Sequence, residues 1–262
     1  AAWRNTSAVR VYSIKNDKIN ACVGKGQGLF VHPGLLLRTR TPNELIGVLA
    51  HETGHIAGGH LARMGIELNK ASVQSIIGTL VGMAAVVGGA AAGQTGASQA
   101  GQGIVMGSQG FAQRGILAYQ RDMEASADNA ALKFLKATGQ SPKGMLTLFQ
   151  LLANESLAAT ADADPYLFSH PMPLERIRNL ELAAKASPFF DTLDSPPLML
   201  RHQLMQAKLA GFLNSAQAVF QRYPTSANSL PARYAHPIEV CRGGDNKNAI
   251  PITDSLIEYA TP

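Results

Sequence analysis

The chain has 262 residues, of which 46% are apolar and 16% charged, with a formal net charge of +5 at pH 7. At this length that apolar share can build a real core, which excludes global disorder and allows one large domain or a domain with an appendage. Its basic residues are scattered, with no Lys/Arg stripe interleaved with aromatics, so no nucleic-acid partner is expected.

Cys22 and Cys241 lie far apart and form no CxxC pair, which argues against a thiolate metal site or a disulfide framework. Buried free thiols are the expectation, with a single bridge between them left open. The chain opens on Ala1-Ala2-Trp3, without an initiating Met or the basic and apolar stretches of a signal peptide, so its first residues carry no address.

Residues 8–14 and 19–24 combine β-branched and apolar residues around Asn16-Asp17 and predict a hairpin, followed by a third short strand at Gly28-Leu29-Phe30-Val31. Thr41-Pro42-Asn43-Glu44 joins a capping box to a Pro at the first helical position, which starts a helix running to about Met64. Leu45, Val48, Leu49 and Ile56 recur along it at helical spacing.

Inside this helix lies His51-Glu52-Thr53-Gly54-His55. On a helix the two histidines stand about 40° apart around the axis and one turn apart along it, so both imidazoles can reach one ion. Glu52, on the adjoining flank, is too near in sequence to be a comfortable third ligand but is well placed to accept a proton from water on that ion. The ordinary alternative is two surface histidines on an amphipathic helix. A third ligand at the end of an HExxHxxGxxH pattern is ruled out: Gly58 fits, but the last position is Leu61, and His60 arrives one residue early. On a continuous helix His60 is about 140° from His55, which suits a surface or supporting role better than ligation.

Residues 71–113 carry no formal charge. Their apolar run, Ile76 to Ala92, only reaches the lower limit for spanning a bilayer, and Gly88-Gly89 weakens any helix there. A pair of weak helices or a mobile flap is expected, either touching a membrane surface or buried as a Gly/Ala-rich hairpin.

A helix over about Leu117 to Ala137 follows, ending at Gly139, and carries Glu124-Ala125-Ser126-Ala127-Asp128. Its two acids share a face at i and i+4, flanked by small residues that permit close packing against another helix. Glu124 is the candidate third ligand, and Asp128 would fix a ligating imidazole's tautomer, although such acid pairs are also common on solvated faces. Further helices are expected from Ser141-Pro142 and from Pro173 to Lys185, then over 198–222 and 228–258, where Pro237 and Pro251 interrupt the pattern. Ser187-Pro188 and Ser195-Pro196-Pro197 place a boundary near 190, giving 1–190 and 191–262. The fold class is α+β and mainly helical, with a small N-terminal β-sheet and C-terminal helical hairpins. Segment 228–258 looks like one degraded tetratricopeptide unit, which cannot bury its own faces alone.

HETGHIAGGH, EASAD and the later Ser169-His170-Pro171 with Arg176 together resemble the BepA-type metallopeptidases, relatives of HtpX and of the CAAX prenyl proteases, over about residues 8 to 185. The resemblance implies a gluzincin domain holding one Zn2+ per chain on His51, His55 and Glu124, with Glu52 as general base. It also implies an outward-facing strand, Gly28, Leu29, Phe30 and Val31, that pairs with a peptide substrate. His170 before a Pro reads by itself as a loop histidine. The resemblance instead brings it to the metal, where it blocks the open position until the loop moves or, with Arg176, stabilises the transition state. The expected activity is endoproteolysis of misfolded or misassembled envelope proteins. The setting implied is periplasmic or outer-membrane-associated; the C-terminal helices are candidates for recruiting assembly partners, and 71–113, by its own composition, for membrane-surface contact. A chaperone or scaffold with vestigial or gated proteolysis is the alternative.

Overall fold

In a computed structural model of the chain, residues 9–24, 27–93, 95–158, 166, 169–245, 247–251, 253 and 254 are described. Three short strands, β1 (Arg10–Ser13), β2 (Ala21–Gly24) and β3 (Gly28–Val31), form one sheet in the order β1-β3-β2. The expected hairpin of the first two strands is therefore corrected: β3 lies between them. Burial explains the order. β3 has three of its four residues buried, as a central strand does, whereas every residue of β1 is exposed. Tyr12 of β1 stacks on Phe30 of β3 with ring centroids 5.1 Å apart.

The rest is helical: α1 (Pro33–Arg38), α2 (Pro42–Gly58), α3 (His60–Ala91), α4 (Thr95–Ala137), α5 (Lys143–Ala158), α6 (Leu174–Lys185), α7 (Pro196–Leu213), α8 (Ala216–Arg222) and α9 (Leu230–Arg242). The architecture is α+β and mainly helical, as the sequence led us to expect. The start of α2 follows the predicted grammar in part. Thr41 Oγ1 accepts from the Glu44 amide at 3.2 Å, but Glu44 reaches past Thr41 to the Arg40 amide at 2.6 Å and to the Arg40 guanidinium at 3.0 Å.

Two compact units divide the chain, one built on His51–Ala131 and the other on Phe30–Ala50 and the described residues beyond Leu132. In the second unit Asn43 ties α2 to α5, donating to Ser141 O and accepting from the Gly144 amide, each at 2.7 Å. Gly47 and Gly144 make that approach feasible, since a Cβ on Gly47 would stand 2.5 Å from Met145 Cβ, and one on Gly144 would stand 2.4 Å from the Asn43 carbonyl carbon. The last carbonyls of α1, left without helical partners, are taken up from α7 and α8. Gln206 donates to Thr39 O at 2.6 Å and Leu36 O at 2.8 Å, and Arg222 donates to Leu37 O at 3.1 Å.

Helix α7 is followed by a break at Asn214-Ser215, where Ser215 Oγ caps α8 by accepting from Ala218 N, so the predicted continuous helix to residue 222 becomes two. Helix α9 carries Pro237 internally and packs on α7 around Ala207, Val219 and Ala235. Leu256 and Ile257 of the tetratricopeptide-like reading lie outside the described residues. Neither cysteine is in a disulfide, and the expected burial is corrected, since Cys22 is half-buried and Cys241 exposed.

The first unit departs furthest from expectation. α3 and α4 are 32 and 43 residues long, so the region foreseen as weak helices or a flap is an extended helical hairpin, and α3 runs through Gly88-Gly89 to Ala91. It is not the buried hairpin of the alternative reading either, because Val73, Ile76, Ile77, Leu80, Val81 and Val87 of α3 are all more than half exposed.

Candidate metal centre

The HETGH half of α2 turns His51, Glu52 and Gly54 inward, and His51 and Glu52 are both fully buried. Gly54 brings α4 close. A Cβ there would stand 2.7 Å from the Ala127 carbonyl oxygen and 3.0 Å from Ala127 Cα, so only glycine permits this crossing, and Ala127 is itself fully buried. The contact lies one turn from Glu124 and next to Asp128, which carries both acids to the histidines.

Three donors converge there. His51 Nε2 and His55 Nε2 are 3.0 Å apart, Glu124 Oε2 is 3.4 Å from the first and Glu124 Oε1 is 3.4 Å from the second. Ligands about 2.0–2.1 Å from a tetrahedral ion are separated from one another by roughly 3.3 Å, so these donors, with one Glu124 oxygen facing each imidazole, are spaced on the scale such an ion takes. Neutral imidazole and carboxylate are also the donor chemistry that a borderline divalent metal takes. The alternative of two solvated surface histidines is overturned by burial, since His51 is fully enclosed and Glu124 is 5% exposed.

Two further side chains set the orientation of the rings. Asp128 Oδ1 lies 2.9 Å from His51 Nδ1, which holds the proton on that nitrogen and turns Nε2 toward the triangle. His60 does the same for His55, with the two Nδ1 atoms 2.9 Å apart. Burial first, and then the neighbouring His55, hold the His60 imidazole down to about 4, so near neutral pH it is uncharged, and in the tautomer with its proton on Nε2 its Nδ1 can accept the His55 Nδ1 proton, as ligation through His55 Nε2 requires.

The position of His60 corrects the picture of a continuous helix to Met64. Gly59 adopts φ 61°, the left-handed region, which ends α2 at Gly58 and starts α3 at His60 in a new direction. Gly58 clears the space into which the ring folds back, since a Cβ there would meet His60 Nε2 at 2.1 Å. The signal was in the sequence as Gly58-Gly59 directly before a histidine, a pair that breaks a helix and frees room beside it.

His170 and Arg176 belong to the second unit. The His170 ring is 5% exposed and lies 4.5 Å from the Tyr166 ring centroid, and its amide donates to Tyr166 O at 2.8 Å. Arg176 Nη1 donates to Pro171 O at 2.9 Å, and the guanidinium carbon sits 5.4 Å over the Phe149 ring, so this arginine fastens the His-Pro turn to its own unit. The substrate strand is corrected. Gly28, Leu29, Phe30 and Val31 form the middle strand of the sheet, with β1 and β2 on its two edges, so their backbone is not open to an added peptide.

A largely enclosed His-His-Glu triangle on two crossing helices, with a buried glutamate beside the first histidine, matches the HExxH arrangement of a candidate metal centre. The chain belongs to Peptidase family M48, whose model matches residues 2–184. It is 30% identical over 177 residues to the beta-barrel assembly-enhancing protease of Yersinia pestis, covering 66% of this chain and 35% of that protein. Over 178 residues it is 33% identical to the metalloprotease YcaL of Escherichia coli strain K12, covering 67% of this chain and 62% of that protein. Metalloprotease LoiP of the same strain is 33% identical over 146 residues, covering 55% of this chain and 50% of LoiP. The chain thus spans about a third of the length of the beta-barrel assembly-enhancing proteases it matches.

Proposed function

We propose that the chain is a zinc-dependent endopeptidase in which His51, His55 and Glu124 hold one Zn2+. The observation that carries this reading is the spacing of the three donors, 3.0 to 3.4 Å, in a buried setting. Zinc held by three protein ligands polarises a carbonyl and makes a neighbouring water acidic enough to ionise near neutral pH. The chain's own residues supply the rest. Glu52 takes the proton from the attacking water and returns it to the leaving amine. Asp128 and His60 keep His51 and His55 in the tautomers that leave both Nε2 atoms free to bind.

By resemblance to the BepA-type enzymes, His170 would either close the remaining ligand position until the His-Pro turn moves or, with Arg176, stabilise the transition state; the Arg176 to Pro171 bond supports a role for this arginine in fastening that turn. The substrates are misfolded or misassembled envelope proteins in a periplasmic or outer-membrane setting. The support is the resemblance to the BepA-type enzymes; the relatives' printed name speaks only of beta-barrel assembly, and the helices beyond residue 190 are our candidates for assembly partners. A chaperone role with vestigial proteolysis is the weaker reading, because every part of a working site has a matching residue.

Cleavage of an unfolded protein by the wild-type chain and by Glu52→Gln tests the proposal. The variant is expected to keep its zinc and to lose about 10²–10⁴-fold in rate; equal rates would remove Glu52 from its role. His170→Ala separates the two loop functions, raising basal cleavage if the imidazole blocks the metal and lowering it if the imidazole serves the transition state.

A further inference from the structure

The α3–α4 hairpin is built inside out for a water-soluble element. Its seam is lined by small residues: Gly78 packs on Ser108, Gly82 on Gly101 and Val105, and Gly101 on Val86, with a Cβ on Gly82 or Gly101 meeting the opposite helix at 2.5 to 2.6 Å. The large apolar side chains point the other way. Val73, Ile76, Ile77, Leu80, Val81, Met83 and Val87 are 54–65% exposed and fan over about 160° of the α3 circumference opposite the seam. In the most apolar stretch of α3 only 11% is buried, and α3 is the one helix among the described residues long and apolar enough to cross a membrane. Small residues between helices and large apolar ones outside are the arrangement expected where the surroundings are lipid, because the helices then associate by close packing.

We propose that segment 71–113 inserts tip-first into a lipid bilayer and anchors the peptidase there. Four observations select acyl chains as the occupant. Residues 71–113 carry no formal charge, including those around the tip at Ala92-Gly93. The arms, 71–91 and 95–113, are each about 30 Å long, which matches the roughly 30 Å hydrocarbon thickness of a bilayer. Charges resume on both arms just beyond this stretch, with exposed Arg63 and Lys70 on α3 and exposed Arg114 and Arg121 on α4, against Glu67 and Asp122. This excess of cations suits anionic headgroups. Finally, the exposed apolar surface wraps the outer side of α3 and continues onto Ile104 and Phe111 of α4. A second copy docked on one face would leave much of that surface in water. The exposed amides Gln99, Gln102, Gln109 and Gln113 keep to one side of α4 and Gln74 stands at the edge of the apolar fan on α3, so the middle of that outer face stays apolar.

Insertion carries a consequence for the proposed peptidase. His60, in contact with His55, is ten residues before Lys70 on the same helix, about 15 Å away. The metal triangle therefore sits just above the headgroups, and the substrates presented to it are polypeptide segments emerging from, or failing to enter, the membrane. The anchoring itself does not depend on catalysis, so flotation and cleavage fail independently.

The test is flotation of the full chain with vesicles of phosphatidylethanolamine and phosphatidylglycerol, using two tryptophan probes, Leu80→Trp on the hairpin and Asn129→Trp beyond its base. The chain is expected to float in high salt, and vesicles with brominated acyl chains to quench the probe at 80 but not the one at 129. Replacing Ile77 and Leu80 with Glu is expected to weaken vesicle binding by about 100-fold or more, while cleavage of an unfolded soluble protein continues and reports an intact fold. A chain that stays out of the lipid fraction overturns the proposal. So does a lipid-independent oligomer that the double variant dissociates, because the apolar face would then be covered by a second copy.

Discussion

At the scale of single residues, two side chains set the imidazoles of the proposed centre. Asp128 and His60 each hold one imidazole, and neither ring orients itself, since His51 and His55 meet edge-on with centroids 4.7 Å apart. His60→Ala is expected to weaken metal binding by about 10–100-fold, measured by competition with a chromogenic chelator. Gly58→Ala should give the same loss with His60 still present, because its Cβ claims the position of the His60 ring. Wild-type affinity in both variants would reduce His60 to a packing residue. HETGH announces its two histidines through spacing alone. For His60 the spacing left a surface or a supporting role open, and the choice between them depends on the positive φ of Gly59, which helical periodicity does not encode.

At the scale of elements, the crossing of α2 and α4 decides whether three donors meet. Gly54→Ala sets a Cβ 2.7 Å from the Ala127 carbonyl oxygen, against backbone that cannot turn aside, so the helices must part. We expect a loss of about 1–3 kcal/mol in stability, read by denaturant midpoint, together with weakened metal binding; a variant as stable and as metal-replete as wild type would contradict this account of the crossing. Much of this level was legible. The cap at Thr41, the acids at 124 and 128 on one face and the small residues around them all follow from local rules, and the structure brings them together. The sheet was less legible. β1 and β2 are close in sequence and look like a hairpin, but β3 is the more apolar strand and takes the middle, a choice made by burial rather than by turn chemistry. The hairpin 71–113 was misread for a related reason. Glycines that weaken an isolated helix are the residues that let α3 and α4 approach, and the packing gained outweighs the propensity lost.

At the scale of the whole molecule, a family M48 chain places its candidate donors on α2 and α4, extends α3 and α4 into a long apolar hairpin, and fastens α7 and α8 to α1 through Gln206 and Arg222. Burial of the donors is costly unless a cation joins them, since enclosing a carboxylate beside two imidazoles gains little without a charge to offset it. The account therefore turns on metal content. Elemental analysis of the chain purified without added metal, compared with Glu124→Ala, is the most direct measurement: we expect about one zinc per wild-type chain and substoichiometric zinc in the variant. A wild-type chain that remains empty when dialysed against zinc, or a Glu124→Ala chain that holds zinc as well as wild type, would contradict it.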